Sequence, residues 1–295
     1  LRDIGKERFY ALLSPMIFGE RGGGCFETLS AYRERLHTQG ISVNAAPLVS
    51  HGNVRCLSCG LDDRAPTAGE LEEMRQSVAL AMEHGAFGMS TGLVYAPGAY
   101  AQTEEIIELD RVVAARGGIY ATHMRDEGSK LVQSVEETLT IGREAKVSVQ
   151  ISHHKAAGRF NWGKVKTTLA MVDRARADGH DVTSDVYPYT AGATVLSAMF
   201  LPLWAFEGSQ EALLERLRDP ATRKRIVKDS EERFKKFAQL PGILDRIVPK
   251  GLVLPFVLRG LSKLVVVSSV RTQHKYEGMS LYDIARERKQ SLYEM

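Results

Sequence analysis

Short runs of β-branched residues alternate with longer stretches of helical periodicity through the middle of this chain, and that alternation restricts its fold more than any other feature. Ile41 to Val49 reads as a strand ending at Ser50-His51-Gly52. Thr67-Ala68-Gly69-Glu70 forms a capping box ahead of a helix that carries Leu71, Met74, Val78 and Met82 at helical spacing and closes at Gly85. Ala86 to Met89 is a strand leading into Ser90-Thr91-Gly92, and a helix runs from near Thr103 to Gly117-Gly118. Ile119 to Thr122 is a strand ending at His123, followed by a helix from about Ser129 to Ala145. Val147 to Ile151 is a strand ending at His153, followed by a helix from about Trp162 to Ala177, and Val182 to Ser184 is a strand ending at Asp185.

Strands separated by helices of this length make βαβ units and a parallel sheet. The sheet either opens into a doubly wound fold or curves into a (β/α) barrel. Polar, chemically capable side chains follow nearly every strand: His51, Ser90 with Thr91, His123 with Arg125, His153 with Lys155, Asp185 with Tyr187. A barrel draws its site from several strand ends, whereas an open sheet concentrates it at one switch point, usually with a glycine-rich phosphate loop. No GxGxxG follows any of these strands. The expected fold is therefore an α/β, TIM-type (β/α) barrel, incomplete at about five of the eight strands. Residues 1–204 are expected to form the partial barrel. Residues 205–295, charged and helical in pattern, read as an excursion or lid between late barrel strands, with Leu261 to Val270 as one further strand.

Composition narrows the class. A net charge of +3, dispersed along the chain, argues against nucleic acid or a membrane surface as partner. No run of about 18 apolar residues suggests a membrane span. Three cysteines, Cys25, Cys56 and Cys59, speak against a disulfide framework and for a reducing, cytoplasmic compartment. The CxxC spacing of Cys56 and Cys59 lacks a second pair and a thioredoxin-like setting, so it reads as incidental. The chain starts at Leu1 and stops in a helical pattern at Met295, so both ends are expected to be cut.

His123 and His153 end successive strands, and two imidazoles so placed converge as a catalytic zinc site with an open position requires. His154 competes with His153, because neighbouring strand residues face opposite ways. The polarity of the two alternating series does not choose between them. Arg125 and Asp126 read as a salt-bridged loop at least as readily as a substrate contact, and His51 as shaping its turn more readily than as a group supporting a metal ligand. Asp185 is open as ligand, base or a carboxylate orienting a histidine. Lys155 and Tyr187 are candidates to hold an anionic part of a substrate. His37, His84, His180 and His274 read as surface residues.

THMRDEG at 122–128, ISHHKAAG at 151–158, NWGK at 161–164, DVYPYTAGATVL at 185–196 and LPLW at 201–204 closely resemble the N-acyl-D-amino-acid deacylases, or D-aminoacylases, of the amidohydrolase superfamily. The likeness runs from about residue 40 to 204, with an echo at 276–286. It implies a zinc-dependent barrel hydrolysing the amide of small N-acyl-D-amino acids, with His123 and His153 as metal ligands through the HxRxE and SHxK motifs. It also implies that Lys155 and Tyr187 bind the substrate carboxylate. Ala193 stands where the family often has a serine, which puts one carboxylate contact in question. The family's HxH motif, ligand cysteine and catalytic aspartate are not in this sequence, and Cys25 lies beyond the position of that cysteine. The five strands then correspond to the family's third to seventh, and the chain alone is expected to be inactive. A cyclic amidase of hydantoinase or dihydroorotase type is the rival enzyme, but it would offer a lysine for carbamylation where this chain has STGL. A metal-free scaffold is the rival from another class, and metal analysis separates it from either.

Overall fold

The computed structural model describes residues 28–235, 250–270 and 273–291. After the first helix among the described residues, α1 (Leu29–Gln39), the strands β1 (Val49–Ser50), β2 (Gly88–Gly92), β3 (Ile119–His123), β4 (Ser148–Ile151) and β5 (Val182–Ser184) form one parallel sheet in sequential order. Sequential order without a reversal is the winding of a (β/α) barrel rather than of a doubly wound sheet. Among the described residues the sheet has five strands and does not close.

Helices α2 (His51–Cys59) and α3 (Ala68–Glu83) connect β1 to β2. Single helices α4 (Thr103–Ala114), α5 (Leu131–Ala145) and α6 (Lys164–Ala177) make the next three crossings, each packing on its neighbour. The capping box is present: Glu70 N donates to Thr67 Oγ1 and Thr67 N donates to Glu70 Oε2. Arg64 and the Thr67 backbone together hold the Glu70 carboxyl down at about 2.

Alternation along the strands decides what the helices cover. Met89, Tyr120, Val149, Ile151 and Val182 pack with Ile106, Val113, Val135 and Ile141 in one core. Gly142 allows α5 to lie close, since a Cβ there would come 2.5 Å from Val149 Cγ2. At Gly88 a Cβ would come 2.0 Å from the Ile119 carbonyl oxygen, so only glycine lets β2 and β3 approach as they do. The opposite face carries Ser90, Ala121, Gln150 and Thr183, and it leads up to His123.

Two sequence expectations fail. Ile41 to Val49 is not a strand except at Val49: Ile41 and Val43 are exposed, and Pro47 contributes no N–H to a ladder. β-branched residues favour a strand only where they find a packed face. Leu261 to Val270 is not a strand either. Its first four residues finish helix α10 (Lys250–Leu264), and Val266 makes only an isolated antiparallel bridge to Ser280. The other α-helices after β5 among the described residues are α7 (Leu196–Phe200), α8 (Gln210–Arg218), α9 (Pro220–Lys235) and α11 (Leu281–Arg288).

Candidate functional site

The parallel register gathers the carboxyl ends of the strands on one edge, and His123 closes β3 there opposite Gly92. β4 stops at Ile151, and the chain then turns through His153, a non-glycine residue with φ of 42°. This left-handed step breaks the strand alternation. His153 is thereby turned toward His123, ring centroids 4.6 Å apart and nearly perpendicular. His154 goes the other way, buried, with Nε2 at 2.9 Å from Thr168 Oγ1 on α6.

Asp185 fixes the turn. Its Oδ1 accepts from the His153 backbone N–H at 2.7 Å, and its Oδ2 from Gln150 Nε2 at 2.7 Å. Its carbonyl accepts from the His154 N–H at 2.8 Å. Asp185 thus holds the backbone of a candidate ligand rather than its ring.

Glu127 joins the two imidazoles. One donor atom from each of His123, Glu127 and His153 lies within 4.8 Å of the others. Glu127 Oε1 is 2.8 Å from His153 Nδ1, and Lys155 Nζ is 2.6 Å from the same carboxylate. Lys155 Nζ also sits 5.4 Å from the Tyr187 ring centroid, and that ring is 6.5 Å from His153. Burial pushes the His123 imidazole down to about 4, so it is neutral at pH 7 and keeps a nitrogen lone pair available. Two imidazole nitrogens and a carboxylate oxygen are all donors that divalent zinc takes, so the donor set fits that ion.

Sequence reasoning does not single out Glu127, although it is the acidic position of the HxRxE motif, four residues after His123. Other candidates lie elsewhere. Arg125 pairs with Glu137 at 2.8 Å and donates to the carbonyls of Ala99 and Ala101, both at 3.0 Å. Asp126 Oδ1 accepts from the N–H groups of Gly128 and Lys130. Both residues hold the loop. Thr91 is buried in a hydroxyl chain with Tyr120 and Thr122. His51 is fully buried in the first turn of α2 and bonds Glu105 at 2.8 Å. Cys56 and Cys59 are reduced and buried, and burial pushes the Cys59 thiol up to about 11, out of the reactive range. Cys25 lies outside the described residues. No helix among the described residues is long and apolar enough to cross a membrane.

Comparison with solved structures shows that the fold is similar to that of D-aminoacylases, proteins described as a subset of the amidohydrolases. A D-aminoacylase described as defining a novel subset of amidohydrolases superposes over 94% of this chain and 46% of its own, with TM-score 0.67 and 33% identity. An N-acyl-D-glutamate deacylase from Bordetella bronchiseptica, complexed with zinc and a phosphonate mimic of the tetrahedral intermediate, superposes over 91% of this chain and 44% of its own, with TM-score 0.68 and 29% identity. In sequence the chain is similar to the D-aminoacylase of Alcaligenes xylosoxydans xylosoxydans, 46% identical over 184 residues, which are 62% of this chain and 38% of that protein. The chain thus spans less than half the length of the proteins it matches. No family model matches it.

Proposed function

We propose that this chain is the part of a zinc-dependent N-acyl-D-amino-acid deacylase that supplies metal ligands and substrate-positioning groups. The observation that carries this reading is the convergence of His123 and His153, with Glu127, on one point at the strand ends. His123 and His153 are the ligands, Lys155 and Tyr187 bind the substrate carboxylate, and a zinc ion held there supplies Lewis acidity toward the amide carbonyl.

The chain's own residues bind and orient. The Lys155 ammonium, beside the Tyr187 ring, offers three donors to a carboxylate, and a fixed carboxylate sets which stereoisomer presents its amide to the histidines. No residue here is assigned the proton-accepting role, because the family's catalytic aspartate is not in the sequence. Residues 205–295 are read as a helical excursion or lid beside the partial barrel of residues 1–204. The mutual packing of α8 on α9, α9 on α10 and α10 on α11 supports this. The reduced, buried Cys56 and Cys59 suit a cytoplasmic setting.

Zinc titration of the purified chain against a chromophoric chelator tests the reading. Stoichiometric binding is expected, lost by 100-fold or more (about 3 kcal/mol) in His123→Ala. Wild-type protein that takes up no zinc, or a His123→Ala variant that binds as well, would overturn it. Added zinc is not expected to confer turnover of N-acetyl-D-amino acids on this chain alone.

A further inference from the structure

The cleft between α10 and α11 gathers cations around one aromatic ring. Arg259 Cζ lies 5.5 Å, Lys263 Nζ 4.9 Å and Arg286 Cζ 5.9 Å from the centroid of the Tyr282 ring, and Arg259 Nη2 donates to the Tyr282 hydroxyl at 3.2 Å. The cavity there, of about 390 Å³, is lined by Arg259, Arg286 and Lys289 together with the apolar Pro255, Leu258 and Ala285. Helix α10 contains no acidic residue. The acids of α11 are engaged elsewhere: Asp283 Oδ2 accepts from Ser280 Oγ at 2.6 Å, and Glu287 Oε1 from Lys275 Nζ at 2.8 Å. Among the described residues, none of Arg259, Lys263, Arg286 and Lys289 has a carboxylate partner.

Helix ends account for part of this cluster. Lys263 and Arg286 stand in last turns and Lys289 caps α11, where positive charge suits the negative end of a helix. Arg259 lies inside α10, where no helix end calls for it. The Arg259 hydrogen bond and charge, with Arg286 and Lys263 behind them, hold the Tyr282 hydroxyl below the usual phenol range, the mark of a positive field. A concave surface with one sign of charge and low-dielectric walls draws in an anion. Two guanidinium forks and an ammonium offer more donors than the two oxygens of a carboxylate can use, and they match the three terminal oxygens of a phosphate monoester. We propose that this cleft binds a soluble organic phosphate, its head among Arg259, Arg286 and Lys289 and its apolar part against Pro255 and Leu258. The site uses none of the strand-end residues, so it stands or falls apart from the zinc reading.

Calorimetric titration of the full chain with phenyl phosphate, inorganic phosphate and benzoate tests it, at low salt and about pH 7.5, where the monoester is mostly dianionic. Phenyl phosphate is expected to saturate one site, about 10-fold tighter than inorganic phosphate because its ring is covered, and tighter than benzoate. Arg259→Gln and Arg286→Gln change exposed residues, so both variants should keep the wild-type urea midpoint while each weakens phenyl phosphate about 10- to 100-fold. Arg225→Gln removes a cation that stacks on Trp204, outside the cleft, and should leave the affinity unchanged. Wild-type protein without saturable binding overturns the proposal, as does phenyl phosphate binding no tighter than inorganic phosphate, which is the behaviour of surface charge alone. Benzoate that matches phenyl phosphate, or an Arg286→Gln protein with unchanged affinity, overturns it too. Sedimentation with phosphatidic acid vesicles, in the absence of phenyl phosphate binding, would put the phosphate in a lipid headgroup and sink the soluble ligand.

Discussion

Two glutamates in this molecule are each bridged by a histidine and a cationic side chain, and they sit in opposite surroundings. Glu105 on α4 accepts from His51 at 2.8 Å and from Arg55, with His51 and Arg55 wholly buried. Glu127 meets His153 at 2.8 Å and Lys155 at 2.6 Å, with side chains between 12% and 29% exposed. Residue types and distances are nearly matched, so they do not reveal which trio has a chemical use. The free edge does. His51 Nδ1 lies near Gly98, buried and without a hydrogen-bond partner among the described residues. His153 faces a second imidazole at the open strand ends. Glu105 locks α2 to α4, whereas Glu127 lies between His153 and Lys155 at the open strand ends.

On that contrast, charge removal inside the sealed trio has the largest effect on stability. Burial raises the Glu105 carboxyl, but the His51 hydrogen bond and the charges of His51 and Arg55 outweigh it and leave the group below the usual carboxylate range. Glu105→Gln keeps the shape and strands the Arg55 guanidinium in the interior. The expected loss is about 3–5 kcal/mol in urea unfolding. A loss under about 1 kcal/mol would mean that packing, not charge, holds α2 and α4 together.

A third acid, Asp110, has no cation beside it among the described residues. Asp110 is fully buried on α4, and neither carboxylate oxygen has a partner among the described residues. Burial pushes its carboxyl well above the ordinary value. An acid with a raised folded pKa binds more protons folded than unfolded, so its cost is absent at low pH and grows as pH rises past the unfolded value. Asp110→Asn is therefore expected to stabilise the protein at pH 7 by about 1–2 kcal/mol, with the gain shrinking toward pH 4. Thermal unfolding at several pH values checks this, and a gain independent of pH would contradict it.

These contrasts also mark where the amino-acid order is readable. Strands β2 to β5 and their polar ends follow from local alternation and glycine punctuation, and so does the Thr67–Glu70 cap. The choice between His153 and His154 is not readable. It depends on a positive φ at His153 beyond the end of β4, where parity no longer applies. Glu127 is hidden in a different way, since its importance comes from a lysine 28 residues away. Ile41 to Leu48 misleads because β-branched side chains look alike whether or not a face awaits them. His51 looks like a turn residue because the glutamate that makes its site a buried trio lies 54 residues on.

The smallest effect belongs to the open trio. The Glu127–Lys155 pair sits in partial contact with water, where ion pairs contribute little and are screened by salt. A double-mutant cycle with Glu127→Gln and Lys155→Met should give a coupling of about 0.5–1 kcal/mol in urea unfolding, weakening as salt rises. The same cycle run on zinc affinity separates stability from use. A coupling as large as that of the sealed trio would place Glu127 among the groups that hold the fold, and the distinction between the two glutamates would fail.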